Sequence, residues 1–232
     1  MLAISSSRPV ALLGACLLLA ACSDGVSTIA GPVADAAPVM SIGTLHESAV
    51  VNWHAQQLGF GRSGPVAGAS AHLVRNANGI SFRMTTNSLT PGNAYTLWLV
   101  VINNPAACSA TPCAAPDFLL NAAPDAQVRF AAGSVAGGAG RGTFAGSVKE
   151  GPMPGWLDDR SLENSMGAEV HLVINDHGPM LPEFMPGMIH TYRGGCADSS
   201  PFPSVFPPSA LADGEVGPNV CRLYQAAVFL AP

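Results

Sequence analysis

Three of the six histidines of this chain fall within one stretch, residues 167–190, which reads GAEVHLVINDHGPMLPEFMPGMIH. These histidines are His171, His177 and His190, and Asp176 supplies a carboxylate beside them. Neutral imidazole nitrogens suit both zinc and copper, and a carboxylate can complete such a site. The stretch therefore supports the hypothesis of a zinc or copper site formed by these four residues.

Two other interpretations of the same residues stay open. The intervals of six and then thirteen residues between the histidines match no standard metal-binding motif. In a structural interpretation, His171 and His190 bond to backbone groups and His177 is exposed. In a copper interpretation, thioether sulfurs contribute as well. The methionines available to it are Met166, Met180, Met185 and Met188.

A hydrolase is a third class of function to consider. After residue 22 the chain contains no G-x-S-x-G, H-E-x-x-H or S-x-x-K motif. A hydrolase would therefore need an unfamiliar arrangement in which one histidine contacts both a carboxylate and a hydroxyl group.

The local pattern constrains how the histidines can meet. Side chains alternate between the two faces of a strand. We expect a strand over Ala168–Asn175 with Asp176 and His177 in the turn after it, and one face of this strand should carry Glu169, His171, Val173 and Asn175. A shared metal site would then require the following Pro/Met-rich loop to fold back onto the strand.

The other elements that must position these residues are also strands. Apolar or alternating runs recur at short intervals, with Gly and Pro between them. They cover Ala71–Arg75, Ile80–Thr86, Ala94–Asn103, Ala126–Val135, Arg141–Lys149 and Leu223–Leu230. Leu45–Leu58 fits either a helix or a strand followed by a loop. This pattern predicts an all-β fold, an antiparallel Greek-key-like β-sandwich of about eight strands with long Pro/Gly-rich loops.

Turn signals specify how some strands connect. Asn76 to Gly79 reads NANG, which favours a hairpin between the first two strands of that list. The run AGGAG at residues 136–140 predicts a second hairpin, between Ala126–Val135 and Arg141–Lys149. The segments 151–166 and 180–188 are predicted to be long loops that cap one end of the sandwich.

The amino-terminal segment predicts export and lipid attachment. A ten-residue apolar run, Val10 to Leu19, is too short to span a bilayer and is typical of a signal peptide over residues 1–21. The tetrapeptide Leu-Ala-Ala-Cys ending at Cys22 resembles the bacterial lipobox, which implies a lipidated Cys22. Ser23 after it resembles outer-membrane sorting signals. Residues 22–42 are then a flexible tether, and residues 43–232 a single domain in the cell envelope, facing the periplasm or the cell surface.

Cysteine number and charge restrict the function further. With Cys16 and Cys22 in or beside the signal, four cysteines remain, and an even count in an exported chain predicts two disulfides. Sequence proximity favours Cys108–Cys113 and Cys196–Cys221, although three pairings are possible. Their spacing does not match paired C-x2-C zinc knuckles. The chain has 15 acidic and 10 basic residues, an acidic balance that excludes an electrostatic footprint for nucleic acid.

Several motifs taken together resemble a family. The segments SLTPGNAYTLWLVVINNPAAC, GAGRGTFAGSV, GAEVHLVINDHGP and IHTYRGGC are similar to a family of exported bacterial proteins without an assigned activity. The L-x-P-G-x-x-Y-x-L pattern is weakly similar to chordin-type domains, which implies a β-sandwich. From the sequence we therefore expect a lipid-anchored β-sandwich that acts as a binding or structural module rather than an enzyme. The alternative is a periplasmic copper or zinc protein.

Overall fold

A computed structural model describes residues 43–54 and 62–232, and it shows the expected all-β architecture. The strands are β1 (Leu45–Ala49), β2 (Asn52–Trp53), β3 (Ser70–Asn76), β4 (Gly79–Thr86), β5 (Asn93–Ile102), β6 (Ala126–Val135), β7 (Gly142–Lys149), β8 (Gly151–Pro152), β9 (Ser161–Leu162), β10 (Glu169–Pro179) and β11 (Arg222–Phe229). Two short helices, α1 (Ala115–Leu119) and α2 (Pro208–Leu211), and three single-turn 3-10 helices at residues 105–107, 182–184 and 187–189 lie between strands. Within these described residues, no helix is long and apolar enough to cross a membrane.

Two antiparallel sheets form the body of the fold. One has the order β1-β3-β4-β7, the other has the order β2-β11-β10-β5-β6, and β8 and β9 pair separately. Strands β4 and β7 are neighbours in one sheet, while β5 and β6, which separate them in the chain, belong to the other sheet. This crossing is the Greek-key-like feature that the sequence predicted.

The main apolar core lies between the two sheets. Leu73, Phe82 and Met84 come from the four-stranded sheet, and Leu97 and Leu172 come from the five-stranded sheet. All five are buried, as period-two alternation of apolar residues requires when one face of a strand packs inward. The β3–β4 hairpin is confirmed, with Asn76 opposite Gly79 at its turn.

The predicted hairpin between β6 and β7 is wrong. Strand β6 pairs with β5 and strand β7 pairs with β4, so the AGGAG segment crosses from one sheet to the other. This segment is held by the β4–β5 connection, where the Leu89 N–H donates to the Gly140 carbonyl at 3.0 Å. Gly140 has a φ of +62°, and a Cβ there would lie 2.6 Å from the Leu89 carbonyl oxygen. A close approach of two backbones, rather than a hairpin turn, explains this glycine.

Strand β10 extends farther than predicted. It continues past Asn175 through Asp176 and His177 to Pro179, which lies opposite Asn93 of β5. The turn expected at Asp176 is therefore absent from this position. The Leu45–Leu58 segment starts as two strands, β1 and β2, and its last four residues lie outside the described part of the chain.

A layer of loops covers the outer face of the five-stranded sheet. Trp98 and Val100 of β5 project to this side, and they pack with Phe118, Trp156 and Tyr192 from three separate connections. The predicted loop 151–166 does more than cap an end, because its Met153 and Leu162 enter the core between the sheets. The outer layer is thus a second apolar cluster.

Both predicted disulfides are present and fasten this layer. Cys108 is bonded to Cys113, and Cys196 is bonded to Cys221, with sequence separations of 5 and 25 residues. The first bond closes the loop before α1, and the second closes the loop that contains α2. A small apolar layer without regular sheet structure gains its stability from such cross-links.

Candidate functional site

A cavity lies between the five-stranded sheet and its outer layer of loops. Its floor is made of side chains that neighbour each other across β5, β10 and β11. Trp98 lies opposite Val173, which lies opposite Ala226; one row along, Val100, His171 and Val228 align in the same way. The face of β10 that was predicted to carry His171 and Val173 is thus the face that lines this cavity.

The walls come from segments distant in sequence. The first disulfide loop and α1 contribute Pro112, Cys113 and Phe118. The loop after β8 contributes Trp156, and the loops around the second disulfide contribute Tyr192 and Phe206. Each of these segments is mostly irregular loop. The cavity therefore forms only when all of them pack against the sheet.

Aromatic rings make up most of one side of the cavity. Trp156 lies 4.7 Å from Trp98 and 4.8 Å from Tyr192, measured between ring centroids. Phe206 lies 5.2 Å from Trp156 and 5.4 Å from Tyr192. These distances and the tilted or edge-to-face angles are those at which aromatic pairs attract each other. The cluster forms a rigid apolar wall.

The imidazole of His171 forms a polar edge of the cavity, and it is bonded to the buried carboxylate of Glu169, which does not itself line the cavity. Glu169 Oε1 lies 2.6 Å from His171 Nε2, and it accepts a hydrogen bond of 2.8 Å from the Cys113 backbone N–H. Both side chains are buried, and Phe118 packs edge-on against the His171 ring at 5.9 Å. Glu169 therefore joins β10 to the first disulfide loop and orients the imidazole that lines the cavity.

A second imidazole, from the residue that directly follows β2, lines the same cavity. His54 follows Trp53, and its backbone N–H donates to the Tyr224 carbonyl at 3.1 Å. Burial, with a smaller contribution from His171, lowers the pKa of His54 to about 4. His54 is therefore uncharged at neutral pH.

The size and polarity of the cavity define what it can hold. Its volume is about 400 Å³, within the range of pockets that bind small organic molecules. Among the described residues that line it, none is Lys, Arg, Asp or Glu. A charged ligand would lose its hydration there without gaining an opposite charge, which is unfavourable. The cavity suits an uncharged and mainly apolar molecule.

His177 does not reach this cavity and has a structural role. It is fully buried, with Nδ1 2.9 Å from the Gly194 carbonyl oxygen and Nε2 2.9 Å from Thr96 Oγ1. Thr96 Oγ1 in turn accepts a hydrogen bond from Trp98 Nε1 at 2.9 Å. The structural interpretation predicted an exposed His177, and this prediction is wrong. The histidine is buried and joins β10 to β5 and to the loop before Cys196. Burial lowers its pKa to about 4.

The other two predicted ligands, Asp176 and His190, form hydrogen bonds with different parts of the protein and not with each other. Asp176 is buried and accepts hydrogen bonds from Asn93 Nδ2 at 2.9 Å, from the Gly178 N–H and from Arg222. Burial raises its pKa, and these three partners oppose that effect. His190 is exposed, and its Nδ1 lies 3.0 Å from the Pro186 carbonyl oxygen, as the structural interpretation expects.

The described residues contain one group of three potential metal ligands, and it differs from the predicted set. His177, Cys196 and Cys221 have donor atoms within 4.8 Å of one another. Both cysteines belong to the same disulfide, whereas a metal binds thiolate sulfur. Of the four residues in the sequence-based hypothesis, this group includes only His177. The methionines of the predicted copper site are not brought together as ligands either. Met180 is exposed, and the Met188 sulfur accepts a hydrogen bond from the Leu181 N–H at 3.3 Å.

The hydrogen bonds around the two buried histidines also bear on the hydrolase hypothesis. His171 is bonded to a carboxylate, that of Glu169, whereas His177 is bonded to a hydroxyl, that of Thr96. Activation of a hydroxyl nucleophile needs both partners on one imidazole. For these two histidines, the structure places the carboxylate and the hydroxyl on different rings.

The sequence predicts the strand that carries His171 but not the cavity. Trp98 had a usable signal, because a strand that is apolar on both faces needs a second layer to cover it. Trp156 and Tyr192 stand alone in Gly/Pro-rich loops, where large aromatics indicate packing rather than exposure. His54 has no local signal.

Comparison with known proteins adds no further assignment to this geometry. No family model, no curated protein sequence and no solved structure gives a significant match to the chain.

Proposed function

We propose that this protein is a lipid-anchored module of the cell envelope that binds a small, uncharged, mainly apolar organic molecule in the cavity on its five-stranded sheet. The observation that carries the proposal is the cavity itself, about 400 Å³ in volume and walled by aromatic side chains. Apolar walls with a few polar groups are typical of small-molecule sites. The binding interpretation is favoured over the structural one because a purely structural layer would be packed without such a space.

The proposed anchor rests on the lipobox at Leu19 to Cys22. Several acyl chains on one cysteine bind a membrane stably, whereas a single chain does not. The tether 22–42 would then hold the domain near the bilayer, from which apolar molecules partition. The cavity and the anchor therefore support the same proposed function, a carrier or receptor for an apolar compound at the envelope.

The binding proposal is tested with N-phenyl-1-naphthylamine, a neutral dye that fluoresces in apolar surroundings. We expect saturable binding of one dye per chain. Val173→Trp should weaken it by about a hundredfold, because Val173 lines the cavity and an indole there fills part of the space that the ligand needs. Fluorescence titration measures both affinities, and thermal unfolding checks that the variant is folded.

The matched control is Val216→Trp, which introduces the same side chain at a position that is 47% exposed and outside the cavity. It should bind the dye as the unaltered protein does. The absence of saturable dye binding, or an equal effect of the two substitutions, would contradict the proposal.

The anchor makes a separate prediction. Cys22→Ser should abolish labelling with a radioactive or clickable fatty acid and shift the protein out of the membrane fraction. The four cysteines of the described residues cannot substitute for it, because Cys108, Cys113, Cys196 and Cys221 are paired in disulfides. Labelling that persists in the Cys22→Ser chain would refute lipidation at this residue.

A further inference from the structure

Two hydrogen-bond donors at the cavity have no partner among the described residues. They are the hydroxyl of Tyr192 and the indole N–H of Trp156. Tyr192 is 1% exposed and Trp156 is 8% exposed, so both side chains are almost fully enclosed. Both side chains line the cavity, and their rings are in contact at 4.8 Å. A buried donor without an acceptor is costly and rare in folded proteins, which points to a ligand.

The other polar aromatic groups near these two side chains or in the core are satisfied. Trp98 Nε1 donates to Thr96 Oγ1 at 2.9 Å, although Trp98 belongs to the same cluster. The Tyr95 hydroxyl accepts the Thr90 N–H, and the Tyr224 hydroxyl donates to the Ser88 carbonyl at 2.8 Å. These aromatic groups are therefore paired within the fold, whereas the two donors of Tyr192 and Trp156 are not.

We infer that Tyr192 and Trp156 form a subsite for an acceptor oxygen, and that the ligand is an uncharged aromatic compound bearing a carbonyl group. This inference rests on the proposed function. The indole N–H can only donate. Burial raises the pKa of Tyr192 well above its ordinary value of 10, so its hydroxyl also keeps its proton and can donate. A carbonyl oxygen accepts from both without carrying charge.

The surroundings favour a ketone, quinone, lactone or amide over a carboxylate. No described Lys or Arg side chain lines the cavity to offset a negative charge, and His54 is uncharged at neutral pH. The aromatic part of such a ligand would pack against the rings of Trp98 and Phe206, with its flat face or edge toward them. The carbonyl then distinguishes it from a plain hydrocarbon of the same shape.

The test is a calorimetric titration with two compounds of nearly equal shape, 2-acetylnaphthalene and 2-isopropenylnaphthalene. The second replaces the carbonyl oxygen with a methylene group. The protein is the full chain carrying Cys22→Ser, so that no acyl chain competes for the cavity. Tyr192→Phe removes the hydroxyl and keeps the ring. We expect it to weaken ketone binding about tenfold and to leave hydrocarbon binding unchanged.

Thermal unfolding without ligand gives an independent readout. Tyr192→Phe should leave the melting temperature unchanged or raise it, because the hydroxyl it removes has no partner. Tyr224→Phe is the matched control and should lower the melting temperature, because its hydroxyl is paired with the Ser88 carbonyl. Trp156→Phe, which removes the other donor, should also weaken the ketone more than the hydrocarbon.

The outcomes separate this inference from the proposal beneath it. Hydrocarbon and ketone binding that respond equally to Tyr192→Phe would overturn the acceptor subsite and leave the binding function standing. A lowered melting temperature of the ligand-free Tyr192→Phe chain would overturn it too, since the hydroxyl would then have a partner in the protein. Failure of both compounds and of the neutral dye to bind the chain would overturn the proposed function and the subsite together.

Discussion

Replacing Cys196 and Cys221 together with serine should lower the free energy of unfolding by about 3 to 4 kcal/mol, the effect expected for opening a loop of this length. The same change should abolish binding of the neutral dye. The loop closed by this disulfide carries Phe206, which forms part of the cavity wall, and Phe202 packs beside it on Tyr192. Urea unfolding followed by circular dichroism measures the first effect, and dye titration measures the second.

The other disulfide provides the comparison. Cys108→Ser with Cys113→Ser opens a much shorter loop, so the loss should be about 2 kcal/mol. An equal loss in the free energy of unfolding for the two cysteine pairs would contradict the prediction that the Cys196–Cys221 bond stabilises the fold more than the Cys108–Cys113 bond does. Full dye binding in the chain that lacks the Cys196–Cys221 bond would contradict the assignment of the binding site to this layer.

Acidification should destabilise the protein as the pH falls from about 6.5 towards 4, and His177 should account for much of the loss. Burial lowers the pKa of His177 from 6.5 to about 4, so over this range the unfolded chain binds a proton that the folded chain does not. The contribution of uncharged His177 to stability is fully present above pH 6.5 and is lost as the pH falls from 6.5 to about 4. The difference between the two pKa values of His177 corresponds to about 3 kcal/mol in the free energy of unfolding.

His177→Gln tests this prediction, because an amide can donate and accept hydrogen bonds but does not titrate. Its stability at pH 7 should be lower, and its stability should change less between pH 7 and pH 4. His190→Gln is the control, since His190 is exposed. Asp176, whose pKa is raised by burial, acts in the opposite direction, and His54, whose pKa is also lowered to about 4, acts in the same direction as His177. Both residues are present in every variant, so their effects cancel in the comparison. Urea titrations at several pH values that give the same pH dependence for His177→Gln and the unaltered protein would refute the assignment.

The parts of the fold that the sequence predicted correctly are those encoded locally. The NANG turn and the alternation around it specify the β3–β4 hairpin. Strand β5 is apolar on both faces, and all ten of its residues are buried. Both disulfides join cysteines that are neighbours along the chain.

The wrong predictions concern strand pairings and strand ends that are determined by contacts between residues distant in sequence. AGGAG has the composition of a hairpin turn, but β6 and β7 each find a better partner elsewhere, β5 and β4. Asp176 and His177 have the composition of a turn, but their hydrogen bonds to Asn93 and Thr96 keep them on the strand. Neither pairing can be inferred from a single segment.

The candidate site could be predicted only in part for the same reason. Alternation placed Glu169 and His171 together on the less apolar face of β10, and the structure confirms that pair. The cavity also needs Trp156, Tyr192 and His54, which come from connections that have no periodic pattern. Their proximity results from docking of the loops on the sheet, and it turns a suspected histidine cluster into an apolar cavity with a polar edge.

We propose that this cavity binds an uncharged apolar molecule. The most direct measurement is a crystal structure of the protein soaked with 1-bromonaphthalene, in which anomalous scattering locates the bromine. We expect a bromine peak inside the cavity, with the naphthalene carbons within about 4 Å of the rings of Trp98, Trp156 or Tyr192. Bromine peaks found only outside the cavity, or a cavity closed by side chains that leave no space for the compound, would contradict it.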